Sequence, residues 1–245
     1  DWFRAGGNFR DDFTWVDAPH QKKSDSAGID DFRLYGAANL IQDRLTLYLD
    51  ERIAPGGAEA REAYALLWSG SHEFYLKAGQ FYLPFGLRLQ DDETFVRQAS
   101  QVNYTTPDNG AELGWIKGSW NAQLALSNGA AGGNETNQGK QVTGSLVYVR
   151  PGWRFGGSYS DNEMGALFAG LRTGPIAWLA EADYIEDTSL QPRVGEYAGL
   201  LEANWAFMRG HNLKLGAEYL DPQTHVSHDG RNRFSVVWEY TPIQF

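Results

Sequence analysis

The sequence predicts an all-β chain: an antiparallel transmembrane β-barrel of about fourteen strands, with room for sixteen. Three observations predict it. Apolar residues alternate with polar or small ones in segment after segment of about ten residues, the period of a strand with one face in lipid and one in water. The links between segments are alternately tight and long. Aromatic side chains gather at the ends of the apolar sets, where a bilayer has its two interfaces.

The segments follow in order. A weak first strand over 1–9 precedes 30–40, with Phe32, Leu34, Gly36, Ala38 and Leu40 on one parity, and 43–52, with Leu45, Leu47 and Leu49. Strands over 60–69, 73–82 and 110–117 lead to 119–127, where Trp120, Ala122, Leu124 and Leu126 alternate with amides and small residues. The pattern is clear again over 141–150 (Val142, Gly144, Leu146, Tyr148) and 152–160 (Trp153, Phe155, Gly157, Tyr159), and fainter over 164–172. The last four are 175–185, 196–207, 211–220 and 231–241, with Tyr184, Trp205, Phe207, Tyr219 and Tyr240 at or near their ends. Tight links fall at 41–42, 70–71, 118, 151, 173–174 and 210. The long ones are 10–29, 53–59, 83–109, 128–140, 186–195 and 221–230, with 161–163 as the short exception. All tight turns then lie at one end, as in barrels with short periplasmic turns and longer outer loops. A soluble β-sandwich is the alternative, but it would show fewer aromatics at strand ends.

Composition narrows the function classes. The 245 residues carry 21 Lys plus Arg against 31 Asp plus Glu, a net charge of −10. That balance lacks the basic footprint of a nucleic-acid binder. With no Cys, disulfide scaffolds, thiolate metal sites and cysteine nucleophiles are excluded. No run approaches the ~18–20 apolar residues of a membrane helix. The start, Asp1-Trp2-Phe3, has no basic or apolar leader and no initiator Met, which reads as a mature or trimmed chain from which any export signal is already gone. The end, Trp238-Glu239-Tyr240-Thr241-Pro242-Ile243-Gln244-Phe245, resembles the carboxyl-terminal signal of bacterial outer-membrane proteins.

Three stretches add a family resemblance. Asp31-Phe32-Arg33-Leu34-Tyr35-Gly36-Ala37-Ala38-Asn39-Leu40 runs into Asp43-Arg44-Leu45-Thr46-Leu47-Tyr48-Leu49-Asp50-Glu51. Gly79-Gln80-Phe81-Tyr82-Leu83-Pro84-Phe85-Gly86-Leu87 follows, with Phe95-Val96-Arg97, and then Pro107-Asp108-Asn109-Gly110-Ala111-Glu112-Leu113-Gly114-Trp115. In this order they resemble the phosphate-selective porin O/P family of Gram-negative outer membranes. The resemblance covers the first half of the chain. It implies a trimeric porin whose lumen arginines and lysines set anion selectivity.

Strand parity sorts the lumen charges. With the apolar sets facing lipid, Arg33, Arg44, Arg52, Arg61 and Lys77 point inward from the early strands, with Asp31, Asp50 and Glu73 among them. Glu181, Asp183, Glu196, Glu202, Glu218 and Glu239 point inward from the late strands, with Lys214 and Arg233. A mainly basic arc would face a mainly acidic one and set up a transverse field. The longest link, 83–109, begins Leu83-Pro84-Phe85-Gly86, where Pro84 ends the ladder. It carries Asp91, Asp92, Glu93 and Arg97. One expectation is a constriction loop folded into the lumen, with Asp91, Asp92 and Glu93 near the basic arc. The other is an external flap.

Nothing in the chain implies an enzyme or a cofactor. No Gly-x-Ser-x-Gly elbow, His-Glu-x-x-His motif or phosphate-cradling loop is present. His225-x-x-His228 lacks a third fixed ligand for a metal. The expected whole is one outer-membrane barrel domain over 1–245, embedded in lipid, passing small hydrophilic or charged solutes. A homotrimer or a protein held in the lumen is the expected partner, and a structural sheath or scaffold is the alternative function.

Overall fold

A computed structural model describes residues 2–16, 23–89, 91, 93–103, 105–130, 139–187 and 193–241. The strands are β1 (Phe3–Val16), β2 (Ser24–Ile41), β3 (Leu45–Ala54), β4 (Glu59–Trp68), β5 (Phe74–Phe81), β6 (Asp108–Lys117) and β7 (Trp120–Ser127), then β8 (Gln141–Arg150), β9 (Trp153–Ser160), β10 (Met164–Thr173), β11 (Ile176–Asp187), β12 (Val194–Met208), β13 (His211–Asp221) and β14 (Arg231–Tyr240). They form one 14-stranded sheet in sequence order. Each recorded pair is antiparallel, as hairpin connections require. One short helix, α1 (Phe95–Ser100), interrupts the link between β5 and β6.

The sheet curls round that link. Tyr64 on β4 and Ile185 on β11 pack on the same apolar cluster, built of Phe81, Leu83, Phe85, Val102, Ala125, Met164 and Ala166. Strands from opposite sides of the sheet order thus meet one plug. This inside-out arrangement follows from alternation. Leu124, Leu146, Leu167, Leu201 and Leu215 point outward and are exposed, while Ala125, Ala166 and Leu200, each next to one of them, and Ser158 and Glu218 on the same inner parity are buried inside. Lateral pairing carries the parity from strand to strand: Lys77 faces Glu112, Glu112 faces Ala125, and Ala125 faces Thr143.

Aromatic side chains mark both rims of the apolar band. At the turn end, Trp120 and Tyr148 meet edge-on with centroids 4.8 Å apart, and Trp153 adjoins Tyr148 at 5.6 Å. At the other end Tyr184 lies 5.0 Å from Tyr197. Such rings place an apolar body in lipid and a polar tip at its surface.

The strand assignments from sequence hold along the chain, with one clear difference. The first hairpin is longer than expected: 10–16 and 24–29 continue the β1–β2 ladder, with a register shift at Arg10/Asp11. Asp11, Asp12 and Thr14 break the apolar alternation there. Backbone hydrogen bonding extends a ladder past the apolar band, but only lipid imposes the alternating pattern, so sequence reads that stretch as loop.

The lipid-facing parity yields a test. Leu146→Arg should cost about 2–4 kcal/mol near the bilayer midplane, and Ser145→Arg, one residue away and facing inward, distinctly less. Denaturant titration of the refolded variants in lipid vesicles checks the ordering.

Candidate functional site

Residues 82–107 cross the interior. Pro84 and the residues around it are buried, so the link starts inside the barrel. The Leu83 carbonyl accepts from Phe85 N–H at 2.9 Å, a tight local turn that Pro84 favours. Gly86 follows at φ +60, where a Cβ would run into the carboxylate of Glu181 and the guanidinium of Arg97. Only glycine fits both the backbone and that approach. Thr94 then starts α1, its carbonyl accepting from Arg97 N–H and Gln98 N–H at 2.9 Å each. Gln101 in the left-handed conformation, φ 55, ends it.

The late wall holds this link. Arg97 is fully buried and makes an ion pair with Glu181, lies 3.9 Å from Asp183, and donates to the Val102 carbonyl at 2.9 Å. Glu181 also accepts from Leu87 N–H at 2.9 Å, and Ser158 Oγ accepts from Gly86 N–H at 2.9 Å. Glu218 accepts from Phe95 N–H at 2.7 Å and from Arg233 at 2.8 Å, and Arg233 lies 4.5 Å over the Phe95 ring. Lys214 bridges Asp91, at 2.9 Å, and Glu202, at 3.4 Å. Val96 completes the attachment among Ala198, Leu200 and Leu220. The acidic late strands thus act as the mount for the link: Glu181 and Glu218 take its backbone N–H groups, and Glu202 shares Lys214 with Asp91.

The early wall faces the opening that remains. Arg33 pairs with Asp31 at 2.7 Å and lies 3.7 Å from Asp50. Lys77 pairs with Glu112 at 2.9 Å, with the rings of Phe81, Tyr64 and Tyr75 at 5.0, 5.3 and 5.9 Å from its Nζ. Glu112 also accepts from Tyr75 Oη at 2.7 Å and Gln123 Nε2 at 3.2 Å. Arg61 is buried beside them. A cavity of about 290 Å³ lies between this wall and the link. Arg33, Asp50, Glu62, Tyr48 and Tyr82 form its wall side. Leu83, Phe85, Leu89, Val102 and Asn103 form its loop side, with Arg88. A second cavity of about 480 Å³ opens beyond the link, with Asp108, Gln141, Asn162, Glu186 and Glu196 among its polar lining.

The sequence-derived residues fall into three groups. Arg33, Arg61, Lys77, Arg97, Glu181, Asp183, Glu202 and Glu218 are buried or largely so inside the barrel. Arg44 is not: it lies in the exposed turn between β2 and β3, because its strand starts one residue later, at Leu45. Glu239 is exposed near the end of β14, accepting from Asn212 at 2.7 Å. Asp91 and Glu93 lie against the late wall and not the basic arc, since Lys214 takes Asp91 and Arg233 bonds the Glu93 carbonyl. Asp92 lies outside the described residues. His225 and His228 are exposed in the link between β13 and β14.

Sequence reasoning passed over Glu62, Tyr48, Tyr82, Arg88, Asn103 and Glu112. Glu112 was within reach: it alternates with Leu113, and Lys77 faces it across the ladder. Glu62 was not, because the Ala-rich β4 has little alternation and a register shift at Asp50/Glu51.

The geometry is that of a barrel narrowed by its own internal link, and the solved structures agree on the fold. The outer-membrane protein OmpT of Vibrio cholerae in trimer form is similar at a TM-score of 0.75 with 11% identity, covering 99% of this chain and 85% of that one. The anion-selective porin from Comamonas acidovorans gives 0.69 with 12% identity over 96% and 84%. Salmonella typhi OmpF in complex with daunomycin gives 0.67 with 11% identity over 98% and 86%. No protein-family model and no curated protein matches the chain. At these identities the likeness is one of architecture: the chain has the porin barrel fold.

The anchor makes a sharp prediction. Arg97→Met leaves Glu181 and Asp183 buried without their cation and should cost about 3–5 kcal/mol. Adding Glu181→Gln and Asp183→Asn should recover much of that loss. Urea unfolding of the refolded proteins in detergent reads both effects.

Proposed function

We propose that this chain is a porin of the bacterial outer membrane, in which the 82–107 link is a constriction loop and small hydrophilic or charged solutes diffuse through the space left beside it. The observation that carries the reading is the fixation of the loop across the lumen by Arg97 on Glu181. A loop pinned to one wall narrows the channel without closing it, and the cavity of about 290 Å³ on the other side is the remaining passage. The work is selection by radius and charge, without covalent chemistry.

The pore-lining residues on this reading are Arg33 with Asp50, Glu62 and Arg88, while Arg97, Glu181, Glu202 and Glu218 hold the loop. The finer placement in the phosphate-selective porin O/P family is supported by the position of its three motifs. They fall on β2–β3, on β5 running into the loop, and on β6, the elements that frame the passage. A homotrimer is supported by the outer face of β2–β5, where Gly36, Ala38, Ala63, Ala65 and Ala78 line a broad apolar groove that a neighbouring barrel would pack better than lipid. The alternative, a sheath for a partner protein, is less supported because the chain's own loop packs inside the barrel.

Planar-bilayer recording in KCl tests the reading. Wild-type protein should give stepwise channels, and replacing 88–103 by a short Gly-Ser linker should raise their conductance. Asp50→Asn with Glu62→Gln should shift the reversal potential toward anions more than Asp91→Asn with Glu93→Gln does. Raising the salt should mute that shift, since the screening length falls from about 10 Å at 0.1 M to 3 Å at 1 M. Silent bilayers from well-folded protein would overturn the channel.

A further inference from the structure

We infer that the passage beside the loop is a recognition slot for small zwitterions with an apolar side group, of the chemical class of the aliphatic α-amino acids. The inference rests on the channel reading and names the solute that the slot suits.

Two features meet there. The first is charge of both signs on opposite sides. Glu62 stands on the barrel wall, next to an Asp50 whose charge Arg33 offsets at 3.7 Å. Across from them Arg88 stands on the loop, exposed, at φ 56, with its guanidinium 6.0 Å from the Tyr82 ring. Among the described residues Arg88 has no carboxylate within ion-pair distance, and it lines the cavity. Glu62 accepts from Tyr82 N–H at 3.3 Å, which leaves its other oxygen for a further donor. An ammonium at the wall and a carboxylate at Arg88 would each meet the opposite charge, and charge-assisted bonds of this kind are stronger than neutral ones.

The second feature is an apolar strip on the loop side. Leu83 and Leu89 line the same cavity as these charges, and behind Leu83 stands the buried Phe81–Val102 cluster. An aliphatic side group has an apolar surface to lie on while the charged end is held. The volume of about 290 Å³ is at the low end for small-molecule pockets, fitting a single small metabolite and excluding a long chain. A simple anion would gain Arg88 and meet Glu62 as repulsion. A simple cation would meet the reverse.

Recording single channels in KCl at neutral pH with added L-leucine tests this, with 4-methylpentanoate and 3-methylbutylamine as probes of the same skeleton that lack the ammonium or the carboxylate. L-leucine should produce brief current interruptions or excess open-channel noise at a concentration at least fivefold below that at which either single-charge probe does. Glu62→Gln and Arg88→Gln should each raise the half-effective leucine concentration at least fivefold, with heat-modifiable migration in detergent showing that each variant is folded. If either variant misfolds, Arg88→Lys, which keeps charge but loses the planar fork, should give an intermediate shift. Open KCl channels with leucine no better than the single-charge probes would overturn the zwitterion slot and leave the channel standing, as would unchanged leucine response in a folded variant. Absence of KCl channels would remove both.

Discussion

A guanidinium with no exposure to solvent organises the interior of this barrel. Arg97 would be costly in a dry core by itself, since an unpaired buried charge is strongly destabilising. Its position is acceptable only because Glu181, Asp183 and the Val102 carbonyl surround it. That requirement fixes the register of the loop against β11 to within one side chain. Once Arg97 is seated, Leu87 N–H reaches the same Glu181, Phe95 N–H reaches Glu218, and Val96 drops among Ala198, Leu200 and Leu220. The backbone groups of a loop that has left the sheet find partners in this way, and the lumen supplies them because its wall is polar by parity.

The strands were legible because lipid imposes a rule that sequence displays openly. Each outward position must be apolar across the band, so Leu124, Leu126, Leu146 and Leu201 announce their faces. The rule is silent past the band, which hid the outer half of the β1–β2 hairpin. It is silent inside the barrel too, where alanine, serine, arginine and phenylalanine are all acceptable. Arg33 and Lys77 could be turned inward by parity, but Arg44 could not be told from them until the strand's starting residue was known. Helix α1 escaped for another reason. Its six residues are too few for a periodicity, and Thr94 makes no side-chain cap bond, so its end carries no capping signature. What fixes α1 is tertiary: Val96 and Arg97 on one side, both buried, against a wall over eighty positions later in the chain.

The charges themselves were legible, and their partners were not. Counting signs along the chain gives a basic early wall and an acidic late wall, which would make a strong transverse field. The folded arrangement interleaves them. Arg33 sits between Asp31 and Asp50, Lys77 against Glu112, and the late carboxylates bind Arg97, Lys214 and Arg233. Opposite charges at contact cancel beyond a few ångströms, so the field in the passage is set by those groups whose partners lie across it.

On the proposed channel reading, this changes which side chains govern permeation. A paired charge deep in the wall contributes chiefly to stability and shape, whereas an opposed pair separated by the opening acts on whatever passes. In a narrow, poorly screened space the effective dielectric is below that of bulk water, so each such group is felt more strongly than on an open surface. The loop therefore has two jobs that its two ends divide. The α1 end spends its donors on the late wall and sets where the loop lies. The Leu83–Leu89 end presents an apolar strip and the Arg88 cation to the early wall, and defines what the remaining space can hold. On the same reading, a barrel narrowed by its own covalently tethered loop needs no other subunit to hold the constriction, because the Arg97 anchor is buried within the chain.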